Sequence, residues 1–136
     1  MPQEQKHAQL RWLGALEFEG STPEGAKMTI DADGKTAPGP MPTLLLTAAA
    51  CASTDVVMML EKMKVKLASL TVDATGTRRE EEPRRYVAVQ LTYRLRGDGL
   101  DEAKARRAVE LSIQKYCSVI HSLAPGIRVG FDVEVA

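Results

Sequence analysis

The chain has 136 residues, 44% of them hydrophobic, and 18 Lys plus Arg balance 18 Asp plus Glu to a formal net charge of zero. This length suits a single domain spanning 1–136 with a core of its own. The charge balance argues against nucleic acid or an acidic membrane as the main partner, since both call for a basic footprint.

The N-terminal run MPQEQKHAQLRW lacks the basic start and apolar stretch of a signal peptide, which predicts a cytoplasmic protein with its two cysteines reduced. Residues 8–18 read as a first strand bent at Gly14. GSTPEG at 20–25 is turn chemistry, and a short strand around 27–31 completes a β-hairpin. DADG at 31–34 then turns the chain into PGPMP at 38–42, where Pro42 suits the first turn of a helix.

The central segment is PGPMPTLLLTAAACASTDVVMMLEKMK at 38–64. A surface helix would show a polar face at a period of 3.6 residues, and this one is apolar nearly all round, so it is predicted to be buried on every side. Five short strands and one further helix hardly supply that cover. The economical answer is burial against a second copy in an obligate, strongly apolar homodimer. Thr47, Cys51, Thr54 and Asp55 form a thin polar stripe along this rod. The same residues make it a poor lipid-facing helix, so no membrane is expected as a partner.

Two strands follow. Leu70, Val72 and Ala74 alternate with polar residues, as do Val87, Val89, Leu91, Tyr93 and Leu95, which predicts an antiparallel pair with one face on the core. The charged segment 78–85 between them is the hairpin loop. Residues 100–123 read as a second helix with acids in its first turn and a stripe of Ala105, Val109, Ile113, Tyr116, Ile120 and Leu123. APG at 124–126 stops it, and Ile127, Val129, Phe131, Val133 and Val135 alternate as a last strand. The order ββ–α–ββ–α–β is that of an α+β domain.

Few residues can carry chemistry. Cys51 is either a small buried hydrophobe or a reactive thiolate. The second role needs a cation or hydrogen-bond donor from elsewhere in the fold, because Cys51 lies beyond the strong end of the helix dipole and the charge of Asp55 opposes it. Cys117 and His121 are i, i+4 on the second helix, so His121 is either a hydrogen-bond partner for a thiolate or an exposed capping cation. Two Cys and two His without CxxC or HxxxH spacing argue against a metal site, and no pattern for a phosphate-bearing cofactor is present, so neither metal nor cofactor is expected. Trp12 and the three tyrosines read as core or interface residues.

GPMPTLLLTAAACASTDVV at 39–57 resembles the first-cysteine motif of the OsmC/Ohr family, the osmotically inducible and organic hydroperoxide resistance proteins. LDEAK at 100–104, LS at 111–112 and KYCSV at 115–119 resemble its second-cysteine motif, and together the anchors span most of the chain. The resemblance implies an OsmC-like fold, an intertwined homodimer, and a first cysteine that attacks the O–O bond of an organic hydroperoxide. A second cysteine then resolves the sulfenic acid as a disulfide, and a dithiol reduces the enzyme. By motif position Cys51 would be peroxidatic and Cys117 resolving.

Active members carry a glutamate nine residues before the first cysteine, where this chain has Pro42. It orients an arginine from the preceding loop, and residues 19–41 hold no arginine, only Lys27 and Lys35. Lysine lacks the planar fork of arginine. The resemblance is therefore to the divergent OsmC-like branch. The redox reading has an alternative in a non-catalytic, small-molecule-binding or stress-response protein with an apolar dimer-interface pocket. Asp55, Thr47, His121, Lys27 and Lys35 are the supporting candidates beside the two cysteines.

Overall fold

Gly14 and Ala15 carry left-handed φ angles of 125° and 47°, and they reverse the chain where the sequence suggested only a bend. In the computed structural model, which describes residues 3–136, this reversal splits the expected first strand in two. Glycine tolerates such a conformation freely, and a non-glycine residue does so only at a cost. The Trp12 indole N–H donates to the Ala15 carbonyl at 2.9 Å and closes the turn.

The chain forms two compact units, Met1–Leu44 and Leu45–Ala136. The first contains β1 (Gln9–Gly14), β2 (Glu17–Ser21) and β3 (Lys27–Asp31) in one antiparallel sheet of order β1-β2-β3. Its register aligns Leu10 with Gly20 and Met28, and Trp12 with Phe18 and Ile30. The alternate rows hold Arg11, Glu19 and Thr29, so one face is apolar and the other polar. Leu10, Trp12 and Met28 remain 60%, 66% and 52% exposed.

The sheet ends at Asp31, whose buried carboxylate accepts the N–H groups of Asp33, Lys35 and Thr36 and the Thr36 hydroxyl. The Thr36 N–H is the main reason its carboxyl is held below the ordinary aspartate value. One side chain thus satisfies the donors of a whole turn, which explains the DADG signal.

The second unit holds most of α1 (Pro40–Lys62), then β4 (Lys66–Arg78), β5 (Tyr86–Asp98), α2 (Glu102–Leu111), a π-helical turn (Ser112–Tyr116), α3 (Ser118–His121) and β6 (Arg128–Val135). β4 pairs antiparallel with β5, and β6 pairs parallel with β5 on its other side. The alternation read in β5 is obeyed: Val89, Leu91, Tyr93 and Leu95 are buried. They join Ala48, Ala52, Val56 and Leu60 of α1 and Ala105, Ala108 and Val109 of α2 in the core. Asp101 caps α2 by accepting the Lys104 N–H at 2.8 Å.

Two expectations change. The N-terminal hairpin is a three-stranded sheet. The second helix is interrupted, and Tyr116, expected in its buried stripe, is 50% exposed beside the π turn. Within the chain α1 is covered on one face only, since Leu46, Val57 and Met58 stay 56%, 44% and 54% exposed. One sheet and one interrupted helix cannot surround a rod.

Candidate functional site

The polar stripe on α1 becomes intelligible once the partners of each residue are traced. Thr54 returns its hydroxyl to the Ala50 carbonyl at 2.9 Å, within its own helix. Asp55 is held by the fully buried Ser112, whose Oγ lies 2.9 Å from Asp55 Oδ2 and 2.9 Å from the Ala52 carbonyl oxygen. Thr47 is exposed one turn before Cys51. Cys51 itself is half-buried, and its side chain is close enough to Cys117 to act on that thiol's ionisation.

Cys117 sits where the second helical run breaks. Its backbone is extended (φ −69°, ψ 107°), and its N–H donates to the Ser112 carbonyl at 2.7 Å to close the π turn. Its Sγ accepts the Ile120 N–H at 3.4 Å, so the sulfur serves as the N-cap of α3. It also lies 4.0 Å from the Ala48 carbonyl oxygen. The residue has no exposed surface. Burial pushes the Cys117 thiol up to about 11, opposed by the Ile120 N–H and reinforced by Cys51.

Two further side chains that the sequence reading passed over complete the surroundings. Tyr93 of β5 is fully buried, and the Ser53 hydroxyl donates to its phenol oxygen at 3.2 Å. Burial raises that phenol above its ordinary value, partly offset by Ser53, and the charges of Cys117 and Asp55 act in the same direction as burial. The only sequence marker for Ser112 was its place in LS at 111–112, a hydroxyl within an otherwise apolar stripe.

The other candidates, His121, Lys27 and Lys35, are exposed. The i, i+4 relation to His121 survives in the backbone, where the His121 N–H donates to the Cys117 carbonyl at 3.0 Å. His121 lines a separate cavity of about 470 Å³ with Ile113, Ile120 and Val129, while the Cys117 thiol is sealed. Lys27 on β3 and Lys35 in the Asp31 turn are exposed residues of the N-terminal unit. The site is thus a half-buried thiol beside a sealed one, with hydroxyl and carboxylate groups on the adjoining helical turns.

The family model described as OsmC-like protein matches residues 32–132. Protein YhfA of Escherichia coli is 35% identical over 129 residues, 94% of this chain and 96% of that protein. A hypothetical protein from Aquifex aeolicus superposes with a TM-score of 0.88 at 28% identity, covering 98% of each chain. The organic hydroperoxide resistance protein OhrB of Bacillus subtilis shares the fold, with a TM-score of 0.61 at 15% identity and 98% of each chain covered. With a family model matching residues 32–132, well over half of its length, and a relative spanning nearly all of it, the chain belongs to the OsmC-like family.

Proposed function

We propose that the protein is a thiol peroxidase that reduces organic hydroperoxides, with Cys51 peroxidatic and Cys117 resolving. The observation that supports this reading is the asymmetry of the two neighbouring thiols: Cys51 is half-buried and Cys117 fully buried. A thiol reachable from outside suits attack on a peroxide, and a sealed partner suits resolution. The Cys51 thiolate takes the terminal oxygen of ROOH, breaking the O–O bond, and the alkoxide leaves as ROH after gaining a proton. The sulfur, oxidised to Cys51–SOH, condenses with the Cys117 thiol. An S–S bond forms and the hydroxyl leaves as water with the thiol proton. A cytoplasmic dithiol returns the pair to the reduced state by exchange.

We read the two units as one OsmC-like domain working as a homodimer. The exposed Leu46, Val57 and Met58 on α1 and the apolar face of the N-terminal sheet support a second copy as cover. Ultracentrifugation at micromolar concentration is expected to show a dimer, with an unfolding midpoint that rises with protein concentration. A compact, folded monomer refutes it.

One observation favours the binding-protein alternative: Pro42 stands where active members carry the orienting glutamate, and residues 19–41 contain no arginine. Peptide mapping separates the readings. After stoichiometric cumene hydroperoxide, an intrachain Cys51–Cys117 disulfide is expected. Cys117→Ser is expected to leave a trappable sulfenic acid on Cys51, and Cys51→Ser to leave Cys117 unreacted. Both thiols remaining reduced in peroxide refutes catalysis and favours the binding role.

A further inference from the structure

The contacts between the two helical runs are out of step. On α1 the carbonyls of Ala48 and Ala52 are four residues apart, one α-helical turn. They face Cys117 and Ser112, which are five residues apart. In a regular α-helix a five-residue step turns through about 500°, leaving the second side chain about 140° off the face of the first. Ser112 and Cys117 could not then both meet α1. The π turn removes the mismatch, because the Cys117 N–H reaches back five residues to the Ser112 carbonyl at 2.7 Å. One extra residue in that turn brings Cys117 back toward the face of Ser112 and sets its sulfur against α1 at the Ala48 carbonyl, one turn before Ala52.

A π turn is less favourable than an α turn and persists where surrounding contacts hold it. Its first residue is the fixed point here. The Ser112 hydroxyl, fully buried, reaches both the Ala52 carbonyl and the Asp55 carboxylate at 2.9 Å. The pin also gives Asp55 a task that the polar stripe on α1 left unexplained.

We propose that Ser112, anchored by Asp55 and the Ala52 carbonyl, is the positioning residue of the thiol pair: it locks the π turn that aims Cys117 at Cys51. The assignment rests on the reading of the two cysteines as a redox pair. Without the pin the turn relaxes toward α-helical phase, and a one-residue change of phase swings Cys117 about 100° around the helix.

The test equilibrates the wild type, Ser112→Ala, Ser112→Thr and Asp55→Ala in glutathione redox buffers and counts the Cys51–Cys117 disulfide by alkylation and peptide mass. Ser112→Ala is expected to lower the effective concentration of the pair by about tenfold or more, the equivalent of one buried hydrogen bond. Ser112→Thr, which keeps the hydroxyl, is expected to restore it, and Asp55→Ala to fall between. A second readout needs no redox chemistry: amide hydrogen exchange at Cys117 should accelerate by about tenfold in Ser112→Ala. Should Ser112→Ala fail to fold, Asp55→Ala carries the same comparison, since it leaves the hydroxyl on Ala52. Wild-type pairing together with wild-type exchange in the alanine variant overturns the positioning role. Equal loss in the alanine and threonine variants also overturns it, because packing and not the hydroxyl would then hold the turn. A wild type that forms no disulfide in any buffer overturns the redox-pair reading instead, and exchange at Cys117 then decides the role of Ser112 in the π turn.

Discussion

Closure of the disulfide should be steeply accelerated by alkali, because the resolving thiol is sealed. Only the thiolate attacks sulfur, and burial pushes Cys117 from an ordinary value of 9.0 up to about 11. At pH 7.5 the thiolate fraction is then about 3 × 10⁻⁴, against about 3 × 10⁻² for an unperturbed thiol, a deficit of about a hundredfold. The logarithm of the closure rate should climb by about one per pH unit from pH 7 to 10, with no plateau near 9. The assay is a quenched-alkylation time course after a single pulse of hydroperoxide. A plateau at or below pH 9 refutes the argument, since it would mean that water or a positive charge reaches Cys117. Replacing Cys51 by serine removes contributions that raise the value, while burial, the largest, remains. The Cys117 midpoint should therefore fall in Cys51→Ser yet stay above 9.0.

The same thiol carries a stability consequence whose direction is fixed by linkage. The folded value lies above the unfolded one, so the fold favours the neutral thiol. That contribution is complete below about pH 9 and is lost as the pH rises through about 11. Denaturation of the reduced protein at pH 8 and pH 11 should show it, and Cys117→Ala should flatten the difference.

Leu60 is fully buried on α1, and Leu60→Ala should cost about 2–5 kcal/mol by urea denaturation. A cost below about 1 kcal/mol would mean that the site collapses around the gap. Gly76→Ala would drive its Cβ into the Tyr86 ring and against the Leu45 side chain at 3.0 Å. The Tyr86 ring is buried and has little room to yield, so a loss of about 1–3 kcal/mol is expected by the same measurement. Asp31→Asn should lower the melting temperature at pH 7, because one oxygen that accepts turn N–H groups becomes a donor. The Asp31 carboxyl is held below its ordinary value, so its contribution is present above that value and lost as pH falls through the folded one. The wild-type advantage over Asp31→Asn should therefore shrink in acid, and an advantage that grows as the pH falls would refute the charge-based account.

What the sequence made legible is what local periodicity encodes. β4 and β5 were readable because one face of each must be apolar, and the burial of Leu91, Tyr93 and Leu95 follows the alternation residue by residue. The parallel pairing of β6 with β5 was not readable, because alternation names a buried face and not a neighbour. The reversal at Ala15 escaped because a left-handed alanine has no compositional signature, whereas Gly14 beside it announced only a bend. The two cysteines came together through the resemblance of their flanking motifs; nothing in their spacing required it.

The interruption before Cys117 marks the limit of reading a helix as a uniform period. Ala105, Val109 and Ile113 follow the α period and are buried, so the stripe was correct as far as Ile113. Extending it by three predicted a buried Tyr116, and the extra residue of the π turn instead leaves Tyr116 half exposed and buries Cys117. No propensity in SIQKY opposes an α-helix strongly enough to signal the change. The determinant is tertiary: a hydroxyl at Ser112 whose partners, Ala52 and Asp55, lie on another helix. A polar residue inside an apolar stripe therefore carried more information than the stripe. Its burial has to be satisfied somewhere, and the partner that satisfies it sets the phase of everything that follows.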